Sequence, residues 1–332
     1  MKIYDVRIKD CVKKIIEEKG QGILWQKEEF ADALNNYSLK YYEECYLINR
    51  AMEMGMIDIL LFSHHVNISD QVHLLETISD LDEDELVFMV SQMRDVIGQN
   101  QWNIEIVNMQ ETLDEIKKLM NPEATHAVAL AYFDGLGVEQ DYEKAYELFE
   151  LAEQYGDPTC QYYLGYMNEN GLGTEENLEL AKDYYLQGKD DDQCLYALGL
   201  LSKKEGKEDE ALDYFHKSHD ARSFYEEGAI HLERNEIQEA KNAFAQGCDV
   251  YDESCLDAYG KLLLRENDEK GLKPIVYAYY LGSSDATEYL GYLFITGNVI
   301  EKNMERGMAC LDLAASMGNE KAKELEKKYE TI

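Results

Sequence analysis

The sequence predicts an all-α protein in which an N-terminal helical domain precedes a solenoid of stacked helical hairpins. Between residues 124 and 321 one pattern returns about six times, at a spacing of roughly 36 residues in its clearest copies. This period is typical of hairpins that are too small to bury their own apolar faces. The 332 residues include only 3 prolines, which suits a helical chain because proline disrupts helix interiors.

The N-terminal domain is predicted to span residues 1–121, which lack the repeat. Acidic residues at 82–85 precede an apolar-periodic stretch, and acids at such a position cap free N–H groups and complement the helix dipole. Asn121 stands before Pro122, and a residue before proline leaves the helical region. Helices are therefore expected over residues 5–19, 27–35, 38–54, 69–79, 82–98 and 101–119.

The repeat domain is predicted to span residues 122–332, with two helices, A and B, in each hairpin. Glycine recurs inside helix A at residues 165, 199, 260 and 291, although a mid-helix glycine costs about 1 kcal/mol relative to alanine. We expect the close approach of a neighbouring helix to offset this cost. In helix B a small residue precedes a bulky one by four positions, as in Ala145 and Phe149. This spacing allows small and large side chains to pack against each other across the hairpin.

The run GLGVEQDYEKA at residues 135–145 resembles the signature of the Sel-one-like repeat family, which is related to tetratricopeptide repeats. The second unit and the last one, at 286–321, match the same pattern well. The units near 194–285 are shorter and lack its Gly-x-Gly turn. The resemblance covers about 200 residues and implies an α/α superhelix that acts as an adaptor or scaffold.

The chain has a formal net charge of −35, with acidic residues spread along its whole length. Contacts to a nucleic-acid backbone need basic clusters, and an anionic membrane surface would repel this chain. We therefore expect neither nucleic acid nor a membrane as a partner. The N-terminus lacks a signal-peptide core and no apolar run reaches about 18 residues, so the expectation is a reduced, cytoplasmic protein.

Candidate sites for chemistry are weak. No cysteine or carboxylate completes a known zinc spacing around the one local histidine cluster, formed by His64, His65 and His73. A calcium loop that began at Asp80, Asp82 and Asp84 would need glycine and glutamate where Glu85 and Ser91 stand. We therefore predict no metal site, no cofactor and no catalytic residue.

Cys248 and Cys255 lie at the junction between a helix B and the next helix A. They are similar to the paired cysteines of cysteine-rich members of the same repeat family, and that resemblance implies β-lactam binding or hydrolysis. The other junctions lack such pairs, so we predict free thiols and a protein that is not an enzyme. A hydrolase of the β-lactam type stays the alternative, together with a regulatory sensor whose N-terminal domain is the effector.

The main prediction is a non-enzymatic interaction module that binds a peptide or protein in a concave groove. In tetratricopeptide-type hairpins one face of helix A lines that groove, and aromatic side chains four residues apart make good anchors there. Basic side chains on the same face favour a partner with acidic segments. Packing between repeats is the alternative for the aromatic residues, and solvated helix ends are the alternative for the basic ones. The predicted groove residues are His126, Leu130, Phe133, Tyr162, Tyr166, Tyr196, Leu200, Lys203, Lys204, Lys261, Arg265 and Tyr292.

Overall fold

The computed structural model describes residues 3–20, 23–24, 26–37, 40–53, 68–76, 81–98, 121–135 and 138–329. The regular structure in these ranges is helical, which confirms the predicted all-α class. The chain forms two compact units, one of residues 1–100 with 237–332 and one of residues 101–236. This division follows packing, whereas the predicted boundary at residue 121 follows the sequence repeat and stays a prediction.

The N-terminal helices are α1 (Ile8–Lys19), α2 (Lys27–Asn35), α3 (Tyr42–Glu53), α4 (Ile68–Glu76) and α5 (Glu83–Gly98). They confirm five of the expected helices with small shifts at their ends. The sixth, at 101–119, lies outside the described residues, as do His64, His65, Asp80 and the side chain of His73.

Helix α5 begins where the acidic run predicted a helix start. The Oδ1 atom of Asp82 accepts the Glu85 N–H at 2.9 Å, and Glu85 Oε2 accepts the Asp82 N–H at 3.1 Å. This reciprocal pair is a capping box, which satisfies two amides that the helix itself leaves free. Asp82 is therefore explained by helix capping, and Asp84 accepts a hydrogen bond from the hydroxyl of Tyr277.

The repeat helices follow in the predicted A and B order, with helix A even-numbered and helix B odd-numbered. A short 3₁₀ turn at Glu269–Gly271 precedes α15. The bounds are α6 Pro122–Asp134, α7 Tyr142–Gln154, α8 Cys160–Asn170, α9 Leu178–Gln187, α10 Asp192–Lys204, α11 Glu208–Lys217, α12 Ala221–Glu233, α13 Ile237–Asp249, α14 Glu253–Arg265, α15 Leu272–Leu281, α16 Ser284–Thr296, α17 Met304–Ser316 and α18 Glu320–Tyr329.

The polar signature residue before helix B is its N-cap. Asp141, Asn177 and Asn303 each accept a hydrogen bond from the amide three residues later, at 3.0, 3.1 and 3.0 Å. Each cap satisfies one of the amides that an α-helix leaves unpaired at its start. The sequence repeat therefore marks the starts of the helices as well as their packed faces.

Glycine in helix A makes room for a bulky side chain of helix B. A Cβ atom on Gly165 would lie 2.4 Å from Cε1 of Tyr185, and one on Gly291 would lie 3.1 Å from Cδ2 of Leu311. The first distance is far inside van der Waals contact. The expected close approach of a neighbouring helix backbone is confirmed at Gly291, where the carbonyl oxygen of Gly307 lies 3.0 Å from that Cβ position, whereas at Gly165 the neighbour is the Tyr185 ring. Both contacts explain why a poor helix former recurs there.

In the unit of residues 1–100 and 237–332, the N-terminal segment packs on helix α15. The Tyr4 N–H donates to the hydroxyl of Tyr280 at 2.8 Å, and the Val6 N–H donates to the hydroxyl of Tyr279 at 3.3 Å. The side-chain amide of Gln92, on α5, donates to the carbonyl oxygen of Tyr280 at 3.0 Å. Both α15 tyrosines are almost fully buried, at 4% and 3% exposure for Tyr279 and Tyr280.

The acidic start of α5 also contacts the repeats of this unit. The hydroxyl of Tyr277 donates to Asp84 at 2.6 Å, and that of Tyr251 donates to Glu83 at 2.8 Å. The ammonium group of Lys273 lies 2.9 Å from Glu83. The N-terminal helices and the last repeats therefore share one core. No helix within the described ranges has the length and apolar character of a membrane span.

Candidate functional site

An ordered aromatic surface lies on the A helices of the unit of residues 101–236. Tyr162 and Tyr166 stack with their ring centroids 6.2 Å apart, and Phe133 meets Tyr166 edge-on at 6.1 Å. Tyr166 is 37% exposed, while Phe133 and Tyr162 are half-buried. Together with Tyr196 we call these residues the tyrosine face. Their mutual contacts hold the rings in place before any partner arrives.

Arg222 joins Tyr196 to this surface. Its guanidinium lies 4.2 Å from the ring centroid of Tyr196, a cation–π distance. Its charge also opposes the rise in the pKa of Tyr162, and its own partner is Asp220 at 2.6 Å. One arginine therefore acts on tyrosines that stand one repeat apart, at equivalent positions of α8 and α10.

The phenol groups of Tyr162 and Tyr196 stay neutral at physiological pH. Burial raises the pKa of Tyr162 and of Tyr196, and the nearby Arg222 opposes that rise in both cases. Each hydroxyl can therefore both donate and accept a hydrogen bond at the edge of an apolar ring.

Five predicted groove residues pack partly against the core of the repeats. Leu130 and Phe133 are half-buried against the core cluster that contains Ala129 and Phe149. Tyr162 packs against the cluster of Ala181 and Tyr185, and Tyr196 and Leu200 pack against that of Ala211 and Phe215. These contacts favour the packing alternative for the two leucines and account for the buried part of the three aromatic side chains.

The predicted basic residues differ in their surroundings. The ammonium group of Lys203 lies 2.6 Å from Glu226, and that of Lys261 lies 2.6 Å from Asp257. Lys204 and Arg265 are exposed. An acidic peptide that bound at Lys203 or Lys261 would have to compete with an internal carboxylate.

The last predicted residues belong to the other unit, residues 1–100 and 237–332. Tyr292 is 37% exposed and stacks on Tyr289 with centroids 6.2 Å apart. Lys261 lies 5.6 Å from the centroid of the Tyr289 ring. This small surface has the same chemistry as the tyrosine face, with stacked tyrosines beside a cation.

His126 is engaged in an internal network. Its Nδ1 atom lies 2.9 Å from Oδ2 of Asp157, 3.0 Å from Oγ1 of Thr159 and 3.5 Å from Sγ of Cys160. Although burial opposes ionisation, hydrogen bonds from Thr159 and the nearby His126 lower the pKa of Asp157. The imidazole side chain is 13% exposed, so little of it is open to a partner.

All seven cysteines are free thiols in the structure. Burial raises the pKa of Cys248 to about 12 and that of Cys45 to about 11, and it raises the pKa of Cys255 further. The thiolate is the reactive form of cysteine, so these thiols are poorly suited to nucleophilic catalysis. This chemistry disfavours a cysteine-dependent hydrolase.

Sequence reasoning missed Arg222 and the network around His126. Arg222 follows the N-cap of α12 and carries no repeat signature, so its position over Tyr196 needed the structure. The network did have a signal, because the spacing Asp-x-x-Cys occurs at three repeat junctions: Asp157 and Cys160, Asp191 and Cys194, Asp252 and Cys255.

The sequence profile of the Sel1 repeat matches residues 122–156, 158–192 and 284–319. These are the first, second and last predicted units, so the recognition of this repeat is confirmed there. Two ERAD-associated E3 ubiquitin-protein ligase components of Arabidopsis thaliana, HRD3B and HRD3A, are 36% and 37% identical over 72 and 65 residues. The aligned segments are 22% and 20% of this chain but 12% and 10% of those relatives, so this chain spans about a tenth of their length.

Two solved structures share the fold. A Sel1 repeat protein from Oxalobacter formigenes superposes with a TM-score of 0.56 at 19% identity, covering 60% of this chain and 89% of that one. The protein c5321, a protective antigen of uropathogenic Escherichia coli strains with an SLR fold, superposes with a TM-score of 0.60 at 14% identity, covering 98% of this chain and 79% of that one. At these identities the likeness establishes a helical-repeat fold.

Proposed function

We propose that this Sel1-repeat protein is a non-enzymatic scaffold that binds a peptide or protein partner on the tyrosine face. The observation that carries the proposal is the ordered packing of the half-buried Phe133 and Tyr162 around Tyr166, which is 37% exposed. Rings that already contact one another lose little conformational entropy when a partner covers them. Tyrosine also brings a large apolar area with a polar edge, which makes it a frequent anchor of interfaces.

The partner that fits this surface has apolar or aromatic anchor side chains. Arg222 lies over Tyr196 but is paired with Asp220, so a carboxylate of the partner would have to compete with Asp220 there. Lys204 is exposed, and a partner carboxylate near it would be favoured, while the net charge of −35 disfavours a strongly acidic partner at long range. We therefore propose a short segment with apolar anchors and one or two acidic residues.

The relatives support a role in assembly and offer no support for chemistry. HRD3A and HRD3B are components of a ubiquitin ligase. The raised pKa values of the buried cysteines argue in the same direction. Since reduced thiols persist in the cytoplasm, we propose a cytoplasmic location.

The proposal is tested with a partner identified by affinity purification from the native cell and then produced in pure form. The double variant Tyr166→Ala with Tyr196→Ala should raise the Kd about 30-fold or more, equivalent to about 2 kcal/mol. Isothermal titration calorimetry measures the Kd, and far-UV circular dichroism checks that the helices persist.

Tyr46→Ala is the matched control, because Tyr46 is a 59% exposed tyrosine on α3, outside the repeats. It should leave the Kd unchanged. Tyr292→Ala forms a further arm, since Tyr292 has the same 37% exposure as Tyr166, and it measures whether the later repeats contribute. Unchanged binding by a folded double variant would refute the assignment of the tyrosine face.

A further inference from the structure

Three different ligand types converge around one ring nitrogen at the junction between the first and second hairpins. Nδ1 of His126, Oδ2 of Asp157 and Sγ of Cys160 all lie within 4.8 Å of one another. Among the described residues, this is the one group of histidine, cysteine and acidic side chains with such convergence. Asp157 is 9% exposed and Cys160 is fully buried.

The separation of the His126 and Cys160 ligand atoms matches one edge of a tetrahedral zinc site. Zinc binds thiolate sulfur at about 2.3 Å and imidazole nitrogen at about 2.0 Å, which places the two ligand atoms roughly 3.5 Å apart in a tetrahedron. The observed distance between Nδ1 of His126 and Sγ of Cys160 is 3.5 Å. The distance from Nδ1 to Oδ2 of Asp157 is 2.9 Å, so a small outward shift of the carboxylate would be needed for this second edge, and Oδ2 lies within 4.8 Å of Sγ.

The ligands are held in this arrangement by their surroundings. The His126 ring stands edge-on beside Phe149 and Tyr163, which stack on each other, and its centroid lies 5.4 Å from each of theirs. The other oxygen of Asp157, Oδ1, accepts the backbone N–H of Thr159 at 2.9 Å and its hydroxyl at 2.6 Å. Oδ2 is therefore directed at the imidazole, and such outer contacts are what orient ligands in metal sites.

We propose that His126, Asp157 and Cys160 form a binding site for a divalent zinc ion, with a water or the hydroxyl of Thr159 at the fourth position. The combination of imidazole, thiolate and carboxylate ligands suits zinc by charge and by softness. On binding, the S–H bond of Cys160 breaks and a sulfur–zinc bond forms, while the proton passes to solvent. The ion would join α6 to the start of α8 and so fasten the first two hairpins together.

The chain contains its own controls for this site. The Asp-x-x-Cys spacing recurs at Asp191 and Cys194 and at Asp252 and Cys255. The residue equivalent to His126 in the repeat before Cys194 is Tyr162, and before Cys255 it is Tyr225. Phenol is a far poorer zinc ligand than imidazole, so a metal that requires the histidine should bind at the first junction alone.

The test is a titration of the metal-free full-length protein with Co²⁺, which reports tetrahedral thiolate coordination by its visible and near-ultraviolet absorption. We expect one Co²⁺ per chain with a sulfur charge-transfer band, complete displacement by Zn²⁺, and a higher Tm with Zn²⁺ bound. Cys160→Ser should abolish the band, and His126→Gln should weaken zinc binding by more than about 100-fold, beyond the effect of losing an outer contact.

The variants Cys194→Ser and Cys255→Ser should bind Co²⁺ and Zn²⁺ as the unchanged protein does. Circular dichroism of every variant in the absence of metal separates a lost ligand from a lost fold. The proposal is overturned if the unchanged protein does not bind Zn²⁺ at micromolar concentration. It is equally overturned if folded Cys160→Ser keeps the affinity of the unchanged protein, or if Cys194→Ser alone removes the band.

Discussion

Tyr166 in one unit and the pair of Tyr279 and Tyr280 in the other have opposite surroundings. In the unit of residues 101–236, Tyr166 is 37% exposed, and its ring contacts those of Phe133 and Tyr162 on the same surface. In the unit of residues 1–100 and 237–332, Tyr279 and Tyr280 are buried, and their hydroxyls accept backbone N–H groups of the N-terminal segment.

This difference shows how one repeat architecture can bind a chain. The hydroxyls of Tyr279 and Tyr280 accept hydrogen bonds from residues 4 and 6, which lie in a non-helical segment. The ring of Tyr280 packs against those of Tyr4 and Phe88. Repeat tyrosines here hold an irregular backbone segment with rings and hydroxyls together, and the tyrosine face offers the same two features on an accessible surface.

The two surfaces should differ most in the free energy of unfolding that is lost when one tyrosine in each is replaced by alanine. Tyr280→Ala removes a buried ring and the acceptor for Tyr4, so we expect a loss of about 3–5 kcal/mol in the free energy of unfolding. Tyr166→Ala should lose about 1 kcal/mol or less, because the ring is partly exposed and leaves no cavity. Urea denaturation followed by circular dichroism measures both. Equal losses would remove the distinction between the surfaces.

Substitution of a packed glycine should be costly in both units, since hairpin packing is common to them. Gly165→Leu would place a branched side chain where a Cβ alone comes within 2.4 Å of the Tyr185 ring, and we expect destabilisation of about 3 kcal/mol. Gly291→Leu should cost about 1–3 kcal/mol by the same mechanism. Glu179→Leu, at an exposed position of α9, is the control for an added leucine. A change below about 0.5 kcal/mol at Gly165 would contradict the packing described above.

Removal of a tyrosine hydroxyl separates the stability that comes from its hydrogen bond from the stability that comes from its ring. Tyr280→Phe leaves the buried N–H of Tyr4 without its acceptor, and the expected loss is about 1–3 kcal/mol. Tyr166→Phe should leave stability unchanged within about 0.5 kcal/mol. Thermal unfolding of both variants under one set of conditions gives the comparison. A neutral Tyr280→Phe would mean that water replaces the lost acceptor.

The smallest expected effect concerns the cysteines. Alkylation of the unfolded protein without reductant should modify seven thiols by intact mass, as the structure has all seven cysteines free. In the native protein, Cys11 and Cys248 are less buried than the other five and should react first. A mass deficit of two alkyl groups in the peptide that holds Cys248 and Cys255 would instead indicate a disulfide at that junction.

The sequence predicted the fold better than it predicted the site, for physical reasons. Capping residues such as Asp141 and packing glycines such as Gly165 act within one hairpin, so their spacing carries their meaning. The network of His126, Asp157 and Cys160 draws on two hairpins, and the repeat register alone assigned His126 to the groove. The register did bring Tyr162 and Tyr166 to one face, but it could not show that Lys203 pairs with Glu226.

The location of the N-terminal segment was also beyond sequence reasoning. Its contacts with α15 join residues more than 270 positions apart, as in the bond from Tyr4 to Tyr280. No local pattern in residues 1–7 signals such a partner. The buried run of tyrosines at 277–280 was the available hint, since a helix B with so many aromatic residues needs a surface to cover them.

Hydroxyl-radical footprinting with and without the purified partner tests the central claim most directly, because it reports the exposure of individual side chains. In the free protein, Tyr46 and Tyr166 should be oxidised readily, and Tyr279 and Tyr280 should be protected. On addition of partner, we predict that oxidation of Tyr166 and Tyr196 falls several-fold while that of Tyr46 stays the same. An unchanged rate at Tyr166 with the partner bound, or protection centred on Tyr46, would contradict the account.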